Sequence, residues 1–230
     1  MKTIGLIGGL SWESSIEYYR IINETVKDKL GGLHSAKIMM YSLNFEEIKE
    51  MQHQGKWDEA AQAMIPAAKR LEKAEADCVV ICSNTMHKMA AAVQDAIGIP
   101  LLHIADATAE KIKSQGLKAV GLLATKFTME EEFYQGRLIE KHGLEVIIPK
   151  REERLIVHKI IYEELCLGRI LHSSKEQYKK IIDNLVERGA GGIILGCTEI
   201  TLLIKEEDCQ FPVFDTTLIH AQSAVEYALQ

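Results

Sequence analysis

Short apolar runs alternate along the chain with stretches in which apolar side chains recur at helical spacing. The runs at 2–7, 36–43, 78–82 and 101–104 read as buried strands. Those at 118–123, 144–148, 192–195 and 213–214 do the same in the second half. Between them, 14–29, 57–74, 85–96, 129–142, 153–167 and 175–188 carry the pattern of amphipathic helices, and Pro66 inside the second predicts a kink or a split. Strands alternating with helices predict parallel sheets covered by helices on both faces.

The pattern also repeats. Val79-Val80-Ile81-Cys82-Ser83-Asn84-Thr85 aligns with Ile193-Ile194-Leu195-Gly196-Cys197-Thr198-Glu199 at an offset of 114. Ile4-Gly5-Leu6-Ile7-Gly8-Gly9 aligns with Val120-Gly121-Leu122-Leu123-Ala124-Thr125 at 116, and Ile99-Pro100 with Phe211-Pro212 at 112. Three blocks in one order at nearly constant offset predict duplicated halves. The expected fold is α/β, with two pseudo-symmetric domains, each a mainly parallel four-stranded sheet flanked by helices. The first domain is expected to span 1–116 with 209–230, and the second 117–208. A final helix at 217–229 is expected to pack back on the first, and a cleft between the two is the expected ligand site.

Composition narrows the function. Of 230 residues, 47% are hydrophobic and 26% charged, a globular balance that excludes disordered and fibrous classes. Lys plus Arg number 27 against 33 for Asp plus Glu, so no basic surplus exists to bind nucleic acid. No apolar run approaches the ~20 residues that span a bilayer, and the start of the chain lacks the form of a secretory signal. The expectation is a cytoplasmic protein with no nucleic-acid or membrane partner. Five cysteines, at 78, 82, 166, 197 and 209, show no metal-ligand spacing, so no metal is expected.

Candidate chemistry comes from the repeat. It puts Ser83 and Cys197 at matching places, each just past an apolar strand, where ligands bind in open α/β sheets. Both lead towards a helix N-terminus, which favours an anion such as a carboxylate. A cysteine so placed is expected to have a lowered thiol pKa. Cys82 should point away from the cleft, because side chains alternate along a strand. His87 reads as a structural hydrogen-bond donor, and Cys78, Cys166 and Cys209 as packing residues.

Ser83-Asn84-Thr85-Met86-His87 and Gly196-Cys197-Thr198-Glu199 resemble the paired signatures of the aspartate/glutamate racemase superfamily, Cys-Asn-Thr in the first half and Gly-Cys-Thr-Glu in the second. The opening Gly5-Leu6-Ile7-Gly8-Gly9-Leu10-Ser11-Trp12-Glu13-Ser14 is similar to its bacterial broad-specificity amino-acid racemase branch, as are His103-Ile104-Ala105-Asp106-Ala107-Thr108 and Val213-Phe214-Asp215-Thr216. The resemblance implies cofactor-independent racemisation of a small-molecule amino-acid substrate by a homodimer. Two residues then flank the α-carbon, Cys197 as the thiolate that takes the proton from the L-enantiomer and Ser83 as the weaker opposing residue. It also implies a substrate pocket made by Leu10, Gln52, Ser83, Asn84, Thr85, Thr198 and Glu199.

Consistent with that, no lysine has a recognisable pyridoxal setting and no Walker or dinucleotide motif occurs. The departure is Ser83, where the superfamily usually has cysteine; a hydroxyl is a far poorer base than a thiolate. Two other readings follow from the single cysteine. One is a decarboxylase or diacid isomerase on the same fold; the other is a carboxylate or amino-acid binder without catalysis.

Overall fold

Eight strands form two four-stranded sheets, and every pairing within them is parallel. The computed structural model describes residues 1–230, which divide into Met1–Ile104 with Thr217–Gln230 and Ala105–Thr216.

In the first unit β1 (Ile4–Gly8), α1 (Trp12–Leu30), β2 (Ile38–Ser42), α2 (Phe45–His53), α3 (Trp57–Lys73) and β3 (Cys78–Ile81) come in turn. A 3₁₀ turn (Thr85–Met89), α4 (Ala90–Asp95) and β4 (Leu101–Leu102) follow, and the unit is completed by the C-terminal helix (Thr216–Leu229). The sheet order is β2-β1-β3-β4. Central strands are covered on both sides, and alternation sorts their side chains. Ile7, Val79 and Ile81 pack with Ile48 of α2 and with Met64, Ala68 and Leu71 of α3. Ile4, Leu6, Cys78, Val80 and Cys82 pack with Tyr18, Ile22 and Val26 of α1 and with Ala221, Ala224, Val225 and Ala228 of the C-terminal helix. Burial of each large aliphatic side chain contributes about 1.5–3 kcal/mol, so each face rests on its covering helices.

The chain leaves this unit through α5 (Ile104–Ser114) and continues into β5 (Ala119–Ala124), α6 (Lys126–Glu130), α7 (Glu132–Gly136), a π turn (Arg137–Lys141) and β6 (Glu145–Ile147). Then come α8 (Arg151–Glu163), a 3₁₀ turn (Leu165–Leu167), α9 (His172–Glu187), β7 (Ile193–Gly196), α10 (Ile200–Leu203) and β8 (Val213–Asp215), in sheet order β6-β5-β7-β8. The repeat holds in the register. Gly5 faces Val79 as Gly121 faces Ile193, and Ile7 faces Ile81 as Leu123 faces Leu195.

Several expectations change. The units meet at 104/105 and 216/217, not at 116 and 208. β8 lies beyond 208 but pairs with β7, so it belongs to the second sheet. Asp106 of α5 is gripped by Arg137 through two bonds of 2.7 and 2.8 Å, by Lys141 at 2.7 Å and by His142 at 2.8 Å, all in the second unit.

Pro66 does not split α3, which runs unbroken from Trp57 to Lys73. It sits on the exposed side, where water can take the carbonyl its missing N–H leaves without a donor, while Ala60, Met64, Ala67 and Leu71 pack on the other. The expected helix at 129–142 is broken at Glu131, which is extended (φ −103°, ψ 150°), and beyond it α7 runs on into the π turn. That at 85–96 opens as a 3₁₀ turn, and α2, α5 and α10 are additional.

Candidate active site

In the first unit the carboxyl ends of β1 and β3 carry the expected site residues. Past β1 the chain turns at Gly9 (φ 72°), where an added Cβ would lie 2.1 Å from the Leu43 carbonyl oxygen; only glycine fits. Leu10 follows, buried in the cluster that holds Met86 and Ile48. Ser11 then caps α1, its Oγ accepting the Ser14 N–H at 3.3 Å.

Ser83, one residue past Cys82, is half-buried, and its Oγ accepts the Met86 N–H at 3.4 Å. Asn84 and Thr85 behind it are buried. Gln52 of α2 reaches the same turn, its Nε2 donating to Met86 Sδ at 3.0 Å. Leu10, Gln52, Ser83, Asn84 and Thr85 are thus gathered at one end of one sheet. Cys82 lies on the opposite face from Ile81, inside the apolar cluster under α1.

Behind Ser83, His87 is the structural hydrogen-bond donor expected from the sequence, and it sits in a group of buried histidines that the sequence did not announce. His87 Nδ1 donates to the Ser83 carbonyl at 2.6 Å, and its Nε2 accepts the Ile104 N–H at 3.2 Å. Its ring lies 4.6 Å from that of His103 and 5.4 Å from that of His220. His220 Nε2 donates to the Leu102 carbonyl at 2.7 Å, and its Nδ1 accepts from the Tyr18 hydroxyl at 2.8 Å. Burial first, then the two neighbouring histidines, hold His87 well below its usual value. Burial likewise lowers His220 to about 4. Both rings are neutral at physiological pH.

In the second unit Cys197 occupies the equivalent point past β7 and is also half-buried, as is Thr198, while Glu199 is buried. Cys197 Sγ donates to Glu199 Oε2 at 2.9 Å. The thiol is therefore pushed well above its usual value, by burial first and then by the Glu199 charge and Cys166; the Glu199 backbone N–H works the other way. This corrects the expectation of a lowered pKa. The helix that follows, α10, has only four residues, and its weak dipole loses to a carboxylate in hydrogen-bond contact. The turn after Ser83 is likewise followed by a 3₁₀ segment, not an α-helix.

Tyr162 sits near the thiol; burial raises its pKa, and the charges of Cys197, Cys166 and Glu199 add to that. Cys166, in the turn after α8, is thus a neighbour of Cys197, which no spacing rule signalled. No group of three or more His, Cys, Asp or Glu side chains is placed to hold a metal ion, and no helix is long and apolar enough to cross a membrane.

Two parallel-sheet units that each carry a polar turn at the end of the equivalent central strand define a class. The chain belongs to the Asp/Glu/Hydantoin racemase family, whose family model matches residues 7–224. It is 57% identical to a Yersinia pestis protein classed as an Asp/Glu racemase, with a TM-score of 0.95 and full coverage of both chains. It is 38% identical to an aspartate racemase homologue from Pyrococcus horikoshii OT3, with a TM-score of 0.87 and again full coverage of both. The broad specificity amino-acid racemase RacX of Bacillus subtilis is 27% identical over 168 residues, covering 73% of this chain and 72% of RacX. Fold and family together make the chain an isomerase of the racemase type.

Proposed function

We propose that the chain racemises an amino acid without a cofactor, Cys197 serving one face of the α-carbon and Ser83 the other. The observation that supports this reading most is the pairing in the repeat. Ser83 and Cys197 follow equivalent central strands, and both are half-buried and polar where the preceding residues are fully apolar. The α-proton is very weakly acidic, so the charge that develops on its removal needs donors already in place around the substrate carboxylate. Asn84, Thr85 and Thr198 have the hydrogen-bonding side chains for that, and in this reading Leu10 and Gln52, at the same end of the first sheet as Ser83, line the substrate pocket.

Cys197 rests as a thiol. To act as a base it first passes its proton to Glu199, already its acceptor at 2.9 Å, and the thiolate then takes the α-proton. Ser83 cannot form an alkoxide near neutral pH, and no base touches its hydroxyl, so it passes on a proton from water, giving one to the carbanion as it takes another. The proton held by Glu199 returns to solvent. The test is α-proton exchange in deuterated water across a panel of L- and D-amino acids. The expected result is exchange that depends on both Cys197 and Ser83. Tight binding without exchange would leave a carboxylate binder.

The single thiol at the paired positions favours one other reading, a decarboxylase that protonates a carbanion on one face only. Carbon dioxide release from a malonate-type substrate, with no racemisation, would decide for it.

A further inference from the structure

We propose that His87 is a positioning residue for Ser83, fixing the Ser83–Asn84 peptide through the Ser83 carbonyl. The inference rests on the two-face reading above. A carbonyl oxygen can only accept and an amide N–H can only donate. The 2.6 Å contact to Ser83 O therefore places a proton on Nδ1, and the 3.2 Å contact from Ile104 N–H requires a lone pair on Nε2. One neutral tautomer satisfies both bonds, and the Leu102 carbonyl is a further backbone partner of the ring. His87 is then not a proton donor or acceptor in the reaction: its one proton points at a backbone carbonyl and not at the Ser83 hydroxyl.

What the bond does is orient. Ser83 follows the last residues of a strand, and a peptide at such a turn is free to rotate unless something holds it. The carbonyl is drawn into the buried histidine group, so the Asn84 N–H of the same trans peptide is aimed the opposite way. With that plane fixed, the Ser83 side chain is confined to the directions that keep its Oγ on the Met86 N–H. The anchor is itself immobile. His87 is buried, flanked by the rings of His103 and His220, and tied to Ile104, while His220 is tied to Leu102 and Tyr18. A side chain held by a second shell of this kind can keep a group within the tolerance that proton transfer needs.

The test compares His87→Ala and His87→Asn with wild type, following α-proton exchange separately for each enantiomer at saturating substrate. Asparagine keeps an N–H near the place of Nδ1 and loses the acceptor for Ile104. The expected result is a loss of about tenfold on the Ser83 face in His87→Ala, the scale of one lost buried hydrogen bond, with the Cys197 face largely unchanged. His87→Asn should recover much of it. Equal loss on both faces, or no loss on either, would overturn the proposal. Ser83→Ala separates the two levels of inference. If it leaves the D-enantiomer's exchange intact, the two-face reading fails; if it abolishes that exchange while His87→Ala spares it, only the positioning role fails. Should His87→Ala not fold, nitrogen NMR of ¹⁵N-histidine-labelled wild type decides instead. A single neutral Nδ1–H tautomer between about pH 5.5 and 8 supports the proposal, and an Nε2–H or charged ring in that range overturns it.

Discussion

A thiol hydrogen-bonded to a carboxylate starts out protonated, and that fact governs how Cys197 is expected to behave. Cys197→Ala should lower α-proton exchange by ~10²–10⁴, the usual cost of removing a general base. Cys78→Ala and Cys209→Ala should leave it nearly intact; equal inactivation by all three would make the cysteines structural. The pairing with Glu199 makes a sharper case. Glu199→Gln removes the negative charge and the carboxylate acceptor that hold the thiol up, so the thiol pKa should fall towards, not below, the ordinary value of about 8.5, because burial remains. Alkylation of Cys197 by iodoacetamide, followed against pH, should then begin at lower pH than in wild type. Exchange should nonetheless drop, since the proton has lost its acceptor. Faster alkylation with faster exchange would mean that Glu199 only suppresses the thiolate and takes no part in its formation.

Among the elements, the C-terminal helix and the histidine group carry the clearest consequences. Ala221, Ala224, Val225 and Ala228 cover the face of the first sheet formed by Ile4, Leu6 and Val80, so truncation before Thr217 should expose that face and unfold the first unit. Loss of its cooperative melting transition would confirm it. His220, neutral in the fold and lowered to about 4, titrates near 6.5 once unfolded. Between those values the unfolded chain binds a proton that the native one refuses. Stability is therefore full above about pH 6.5 and falls as pH drops towards 4, by ~3 kcal/mol for this group alone. His87 adds in the same direction. The urea midpoint should fall from pH 7 to 5, and fall less in His220→Gln; a flat profile in wild type would refute the sign.

The strands were legible at this scale because their apolar runs are short and bounded. The helix at 129–142 was not, since periodicity survives a single extended residue such as Glu131. The matching places of Ser83 and Cys197, each just past an equivalent strand, were legible through the repeat. The bonds of His87 to Ser83 and of Glu199 to Cys197 were not, because local closure of a turn leaves no periodic trace.

For the whole molecule, the meaningful feature is a duplication whose ends have diverged. The two sheets share strand order and register, yet one turn ends in a hydroxyl and the other in a thiol with a carboxylate at 2.9 Å. Enantiomers have equal free energy in water, so the equilibrium constant is one and kcat/KM must be equal in the two directions. The difference between the halves is confined to exchange without inversion and to turnover at saturation. In the proposed mechanism Cys197 faces the α-proton of the L-enantiomer. Its thiol can lose its proton to Glu199 and, once deuterated by solvent, return a deuteron to the same face. Ser83 has no such acceptor: the contact of its Oγ is with the Met86 N–H, a donor that cannot take its proton. L-substrates are therefore expected to exchange the α-proton with solvent much faster than D-substrates do. Ser83→Cys should raise the D-side rate by supplying an ionisable group, with little gain on the L-side. Deuterium incorporation measured by NMR for each enantiomer decides it. Equal exchange of both in wild type, or no response to Ser83→Cys, would show that Ser83 does not oppose Cys197.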